Sequence, residues 1–266
     1  MASQRPLFIS IPHSGEKLPP EVSWLQGLPE PLLMCDVDRY VDRLYAPAVE
    51  ELELPWIVAQ WHRYVVDLNR LPEDIDQDAV EGAPHPSGRF PTGLHWSVTT
   101  KGDRLIAQPM PMSLHRELVD KYFWPFHHQV EAMYKSFREQ GYTDIYHLDA
   151  HSMPSQGTAA HRDPGQLRAD IVISDVDGTS CRSEFKDLVL EAFRHTGLKV
   201  AYNWPYKGGR LTQTYGRPGL GQHCIQVEIN RALYMNEVSK QWLGPQAETL
   251  QVQLRRALKE ILSVWL

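Results

Sequence analysis

The sequence predicts an α/β sandwich, in which a largely parallel central sheet carries helices on both faces. Three observations lead there. Short apolar runs recur along the chain, and most are separated by helix-compatible segments of ten or more residues. Polar clusters stand at or just beyond the ends of several runs. Ligands gather at the carboxyl ends of strands in such sheets, so these clusters point to one shared site. At 266 residues the chain can bury a core unaided, and residues 1–266 are read as one domain.

Each element follows from its own pattern. Residues 7–11 are apolar and stop at Pro12, which fits a buried strand. Residues 29–48 place Leu33, Val37, Tyr40, Val41 and Leu44 on one helical face. Residues 55–59 and 64–68 read as the second and third strands. From 69 to about 111 the chain is rich in Pro, Gly, Asp and Ser and loses periodicity. A segment this long suggests a lid or a substrate wall, or else a surface loop with small hairpins, 96–100 being one candidate strand. Residues 113–140 form a helix that Pro125 should kink or divide. Strands at 143–148 and 169–174, a turn at 175–180, and a helix at 184–196 stopped by Gly197 come next. Strands at 198–203 and 224–229 and a helix at 247–265 complete the set.

Composition narrows the function. A formal charge of -6 gives no bulk attraction to nucleic acid, though local basic patches can still hold a small anion. Cys35, Cys181 and Cys224 are too scattered for a disulfide framework or a thiolate zinc site, so a reducing, cytoplasmic setting is expected. The polar opening residues lack the features of a signal peptide, and no run approaches a membrane span.

Two clusters offer ligands for a divalent metal, zinc first. His13-Ser14-Gly15-Glu16 sets an imidazole and a carboxylate three residues apart around a glycine that permits a tight turn. Asp149-Ala150-His151-Ser152 follows an apolar strand, and a neighbour of His151 can fix its tautomer. Asp36 is a rival to Glu16, as ligand or as acceptor behind a ligand histidine. Asp38 and Asp42 share a helical face. Alternation in 226–230 sets Gln226, Glu228 and Asn230 on one side of a strand. A carboxylate there costs solvation unless it is paired, so Glu228 is either a general base or the salt-bridge partner of Arg231 or another arginine. Arg63, Asn69 and Arg70 suit a substrate carboxylate. Lys207, Arg210 and Arg217 add positive charge beside Gly208-Gly209, and Arg168 or Thr179 can also meet substrate.

These motifs together resemble the N-formylglutamate amidohydrolase family. The likeness runs through Ile11-Pro12-His13-Ser14-Gly15, Asp38-Arg39, 64–70, Trp124-Pro125-Phe126-His127, Leu148-Asp149-Ala150-His151-Ser152, 177–181, 206–209, Tyr215-Gly216-Arg217 and Gln226-Val227-Glu228-Ile229. The family is related to zinc carboxypeptidases. The resemblance therefore implies a three-layer sandwich around a central mixed sheet, with His13, Glu16 and His151 as zinc ligands. It implies Glu228 as the carboxylate that activates water, Arg63 polarising the scissile carbonyl, and Asn69-Arg70 holding a substrate carboxylate. The implied reaction is hydrolysis of a small anionic N-acyl amino acid. N-formyl-L-glutamate is the first choice, giving formate and glutamate as in histidine breakdown. A zinc carboxypeptidase, another deacylase, or a metal-dependent binding protein are the alternatives.

Overall fold

The computed structural model describes residues 6–264. The polar opening at 1–5 and Trp265, the expected last helical residue, lie outside them. Six strands form one sheet: β1 (Leu7–Ile11), β2 (Trp56–Val58), β3 (Ile145–Met153), β4 (Ile171–Ser174), β5 (Val200–Tyr202) and β6 (Gln222–Asn230). Their order is β2-β1-β3-β6-β4-β5, and every neighbouring pair is parallel except β4 against β6. The helices are α1 (Ser23–Gln26), α2 (Glu30–Leu33), α3 (Val41–Glu51), α4 (Met112–Leu118), α5 (Trp124–Glu139), α6 (Ser183–Arg194), α7 (Arg210–Tyr215) and α8 (Gly244–Ser263). This is the largely parallel sheet that the alternating pattern implied, mixed as the family resemblance implied.

The two faces of the sheet differ. Ile9, Ile11, Leu148, Ala150, Val227 and Ile229 pack against α3, α6 and α8 in one core. Phe8 and Cys224 face a second core with α4, α5 and much of residues 59–110. β3 is buried at all nine positions, so its polar side chains must find partners inside the protein.

Three local expectations change, and a fourth, the division of 113–140 near Pro125, holds. The helix expected over 29–48 is two helices, broken at 34–40 and restarted after Tyr40, whose φ of 70° lies in the left-handed region. Residues 64–68 form turns in place of a strand. His62 Nδ1 accepts from the Tyr64 amide and Asp67 Oδ1 from the Asn69 amide, so side chains take the donors a ladder would have used. Val98 makes only a single antiparallel bridge, to Arg104. Residues 113–140 divide at a π-turn over Val119–Phe123. Pro125 has no N–H for the Lys121 carbonyl, and the wider turn before it takes up the mismatch.

Gly15 serves a different purpose from the tight turn expected of it. A Cβ there would come within 2.5 Å of the Gln60 and Trp61 backbone, so glycine lets the two chain segments touch.

Buried histidines make the fold sensitive to acid. Burial pushes His62, His127 and His147 down to about 4 and His95 to about 3. Each is neutral when folded and takes up a proton on unfolding once the pH falls below its ordinary value. Each therefore removes up to ~1.4 kcal/mol of stability per pH unit between the two values. Glu228, raised to about 7, offsets one of them over part of that range. The urea midpoint of the metal-free protein should fall steadily from pH 6.5 to pH 5. A constant midpoint would show that these rings are not held neutral.

Candidate active site

The register of the central strands assembles the site. β1 runs into Pro12 and presents His13 at the carboxyl edge of the sheet. β3 and β6 pair so that His151 lies opposite Glu228 and Asp149 opposite Gln226. Val227 and Ile229 turn into the core, leaving Gln226 and Glu228 on the cavity side. The break between α2 and α3 brings Asp38 over this edge, and its amide donates to the His13 carbonyl at 3.0 Å. One ligand atom from each of His13, Asp38 and His151 lies within 4.8 Å of the others, and all three residues are buried.

Both imidazoles are oriented alike. His13 Nδ1 and His151 Nδ1 stand 3.5 and 3.1 Å from Asp38 Oδ2. Of the opposite nitrogens, His13 Nε2 bonds Asp67 at 2.8 Å, while His151 Nε2 stands 3.0 Å from Asp149 Oδ2 as an ion pair without hydrogen-bond geometry and 3.5 Å from Asn69 Nδ2. A carboxylate on one ring nitrogen fixes the tautomer and frees the other nitrogen for a cation. His13 Nδ1 is buried without a hydrogen-bond partner, and so is Glu228 Oε2. The donor set and the unpartnered atoms both fit a divalent ion.

Electrostatics divides the carboxylates into two kinds. Burial opposes ionisation of Asp38, but the adjacent His13 and His151 imidazoles and the Arg231 charge hold it well below the usual range. Arg231 donates to Asp38 Oδ1 at 2.9 Å, so Arg231 is not the partner of Glu228. Asp67 is likewise buried yet held low by His13 and Arg63. Burial, with repulsion from Asp38, raises Glu228 to about 7. Gln226 donates to its Oε1 at 2.8 Å.

Glu16 and Asp36, the two carboxylates weighed as ligands, both lie outside the cluster. Glu16 is partly exposed and pairs with Arg39 at 2.9 Å. Asp36 lines the cavity, but its oxygens accept from Tyr64 and Thr100 at 2.6 and 2.5 Å. A helix kept intact across 34–40 would have left Asp38 beside Asp42 on one face. The break turns it inward. Arg63 spends its terminal nitrogens on the Asp36 carbonyl and on Asp67. It therefore holds Asp67 in place and does not offer a free fork to a carbonyl.

Among the expected substrate contacts, Asn69, Arg70 and Lys207 line the cavity of about 350 Å³ that contains the cluster. Arg210 lines an adjoining cleft with Arg70 and Arg89. Arg168 is locked to Asp163 and donates to the Tyr206 hydroxyl, bracing a wall residue. Thr179 is exposed, and its hydroxyl donates to the Val176 carbonyl, away from the cavity. Asp67, Trp96, Tyr206 and Gln226 are site residues that spacing alone did not single out. Alternation did place Gln226 on the same face as Glu228.

The sequence profile of the N-formylglutamate amidohydrolase family matches residues 5–235. The chain belongs to that family. A Pseudomonas putida protein named N-formylglutamate deformylase is 30% identical over 267 residues, spanning 97% of this chain and 92% of its own length. A Pseudomonas aeruginosa protein of the same name is 31% identical, with 97% and 93% covered. The crystal structure of N-formylglutamate amidohydrolase from Ralstonia eutropha superposes with a TM-score of 0.85 at 29% identity, covering 97% of this chain and 93% of that one. A gene product of Agrobacterium tumefaciens, 17% identical with a TM-score of 0.73, shares the fold.

In this family member, Gly209 holds Asn69 against the cavity floor. Asn69 Oδ1 accepts from the Leu211 amide at 2.7 Å, while a Cβ on Gly209 would lie 2.1 Å from Asn69 Nδ2. Gly209→Ala should cost roughly 1–3 kcal/mol through this overlap. Adding Asn69→Ala should recover part of it, so a double-mutant cycle on urea unfolding should give less than the sum of the single effects. Strict additivity would place the strain elsewhere.

Proposed function

We propose that this chain is a zinc-dependent amidohydrolase acting on N-formyl-L-glutamate, with His13, Asp38 and His151 as the metal ligands. The observation that carries the reading is the convergence of two Nδ1 atoms and one carboxylate oxygen beside a second carboxylate, Glu228. Two nitrogens and one oxygen make a three-residue set that leaves a coordination position open, as in catalytic zinc sites. The names of the Pseudomonas and Ralstonia relatives supply the substrate.

A divalent cation held there supplies Lewis acidity to the amide carbonyl and lowers the pKa of water beside it. The remaining work falls to the protein's own groups. Glu228 takes the proton of the attacking water at Oε2, its unpartnered oxygen, while Gln226 keeps Oε1 in place. A buried carboxyl raised to about 7 both accepts that proton and passes it to the departing amine near neutral pH. Asp67 orients the His13 imidazole and is held from behind by Arg63 and Trp96, while Asp149 stands beside His151 as its ion-pair partner.

The leaving amino acid is anionic, and the open side of the cavity is cationic. Arg70 and Lys207 stand at this cavity and Arg210 in the adjoining cleft, where they attract the substrate carboxylates. Lys207 is shared with Asp177 at 2.6 Å, so Arg70 is the stronger candidate for direct contact.

Metal analysis separates the carboxylates. Asp38→Asn should lose bound zinc, while Glu16→Gln and the wild type retain one equivalent. The reverse pattern would restore Glu16 as the ligand.

Turnover tests the base. Glu228→Gln should keep its zinc and lose about 10²–10⁴-fold in kcat. Across formyl, acetyl and succinyl glutamate and short peptides, kcat/KM should be highest for the formyl compound. Preference for a peptide would indicate a carboxypeptidase, and zinc uptake without turnover would indicate a binding protein.

A further inference from the structure

The cavity wall beside Glu228 carries a hydroxyl that the hydrolytic steps above leave unused. Tyr206 follows β5, and Ser174 at the end of β4 donates to its carbonyl at 2.9 Å. Val172, two residues earlier on β4, pairs with Glu228, so Tyr206 stands over the strand next to the base, and both residues line the cavity. The Tyr206 phenol oxygen accepts from Arg168 Nη1 at 2.9 Å, and two bonds of 2.8 Å clamp Arg168 to Asp163. The guanidinium lies 5.0 Å over the ring, and His161 packs against its edge at 6.2 Å. A guanidinium only donates, so the phenol supplies a lone pair to Arg168 and its own hydrogen points elsewhere. Among the described residues, no hydrogen bond takes that hydrogen.

We propose that the Tyr206 hydroxyl donates to the acyl oxygen of the substrate, and that Arg168 is a positioning residue that keeps its hydrogen turned into the cavity. The task is open, because Arg63 is committed to the Asp36 carbonyl and to Asp67. Charge then divides the cavity into two ends. The cleft that holds Arg89 and Arg210 shares Arg70, Thr92, Gly208 and Gly209 with the cavity and leaves Tyr206 out, so substrate carboxylates belong at the Arg70 end. A carboxylate beside Tyr206 would face Glu228, while the cations nearby are spent: Arg168 on Asp163, Arg231 on Asp38 and Lys207 on Asp177. A neutral carbonyl oxygen meets no such repulsion. It gains negative charge as water attacks, so a donor fixed beside it binds the transition state more strongly than the substrate. Burial, and after it the Glu228 charge, pushes the phenol above its ordinary value, and the hydroxyl keeps its hydrogen at neutral pH.

The inference rests on the amidohydrolase reading, and paired kinetics and calorimetry keep the two apart. Tyr206→Phe, which removes only the hydroxyl, should lower kcat/KM for N-formylglutamate by about 10²-fold, while binding of L-glutamate, which lacks the acyl oxygen, stays within about twofold. An unchanged kcat/KM would overturn the proposal. So would weakened glutamate binding, since the hydroxyl would then be meeting a carboxylate. Arg168→Gln should lower kcat/KM in the wild type and add nothing in Tyr206→Phe, because Arg168 acts through that hydroxyl. Additive losses would reject its positioning role. A wild type that binds N-formylglutamate without cleaving it would defeat the hydrolytic reading alone. Tyr206→Phe should then still weaken that compound and spare glutamate, and the lack of such a split would overturn the proposal. A wild type that binds neither compound would overturn both.

Discussion

The carboxylate of Asp38 is the constraint around which the site is built. With 1% exposure, it cannot remain ionised unless cations and donors surround it. Those partners come from separate parts of the chain: His13 beyond β1, His151 and Ser152 on β3, and Arg231 just past β6. Arg231 also donates to the Cys35 and Asp36 carbonyls, and Arg63 donates to Asp36 as well. The segment that breaks the α2–α3 helix is thereby fastened to the sheet edge by two guanidinium groups. Local helix propensity yields here because a buried ion pair left half-made costs several kcal/mol, more than the helical turn contributes.

Charge balance extends the same logic outward. Asp36, Asp38, Asp67, Asp149 and Glu228 are all buried near the cavity, and the buried guanidinium groups among them are Arg63 and Arg231. With neutral imidazoles, that leaves an excess of negative charge in a region of low dielectric. Three responses are visible. The carboxyl of Glu228 is pushed toward its neutral form, His151 is drawn toward its charged form, and the ligand geometry suits a dication. The surplus of acid thus favours cation uptake at the point where these three donor atoms converge.

Much of this was legible in the sequence. Apolar runs marked the strands, and alternation in 226–230 separated Glu228 from its apolar neighbours. His13 and His151 stood where strand ends place ligands. Glu16 was misleading because a three-residue spacing is local, whereas Asp38 reaches the cluster through a helix break that its neighbours' helical pattern conceals. Asp67 was hidden inside an apolar run that resembles a strand. Its side chain helps to fold that run into turns, an effect invisible without knowing where His13 and Leu94 lie.

The irregular stretch between β2 and α4 is anchored rather than draped. Ile75, Val80, Leu94, Trp96 and Ile106 are buried in the same core as Phe8 and Val130. Trp96 also reaches through to Asp67 at the heart of the site. Swinging this stretch aside would expose that apolar surface and strip a donor from the carboxylate that steadies His13. This side of the cavity is therefore a packed wall, and a change of substrate there would come from exchanging the side chains it presents more readily than from swinging the stretch aside.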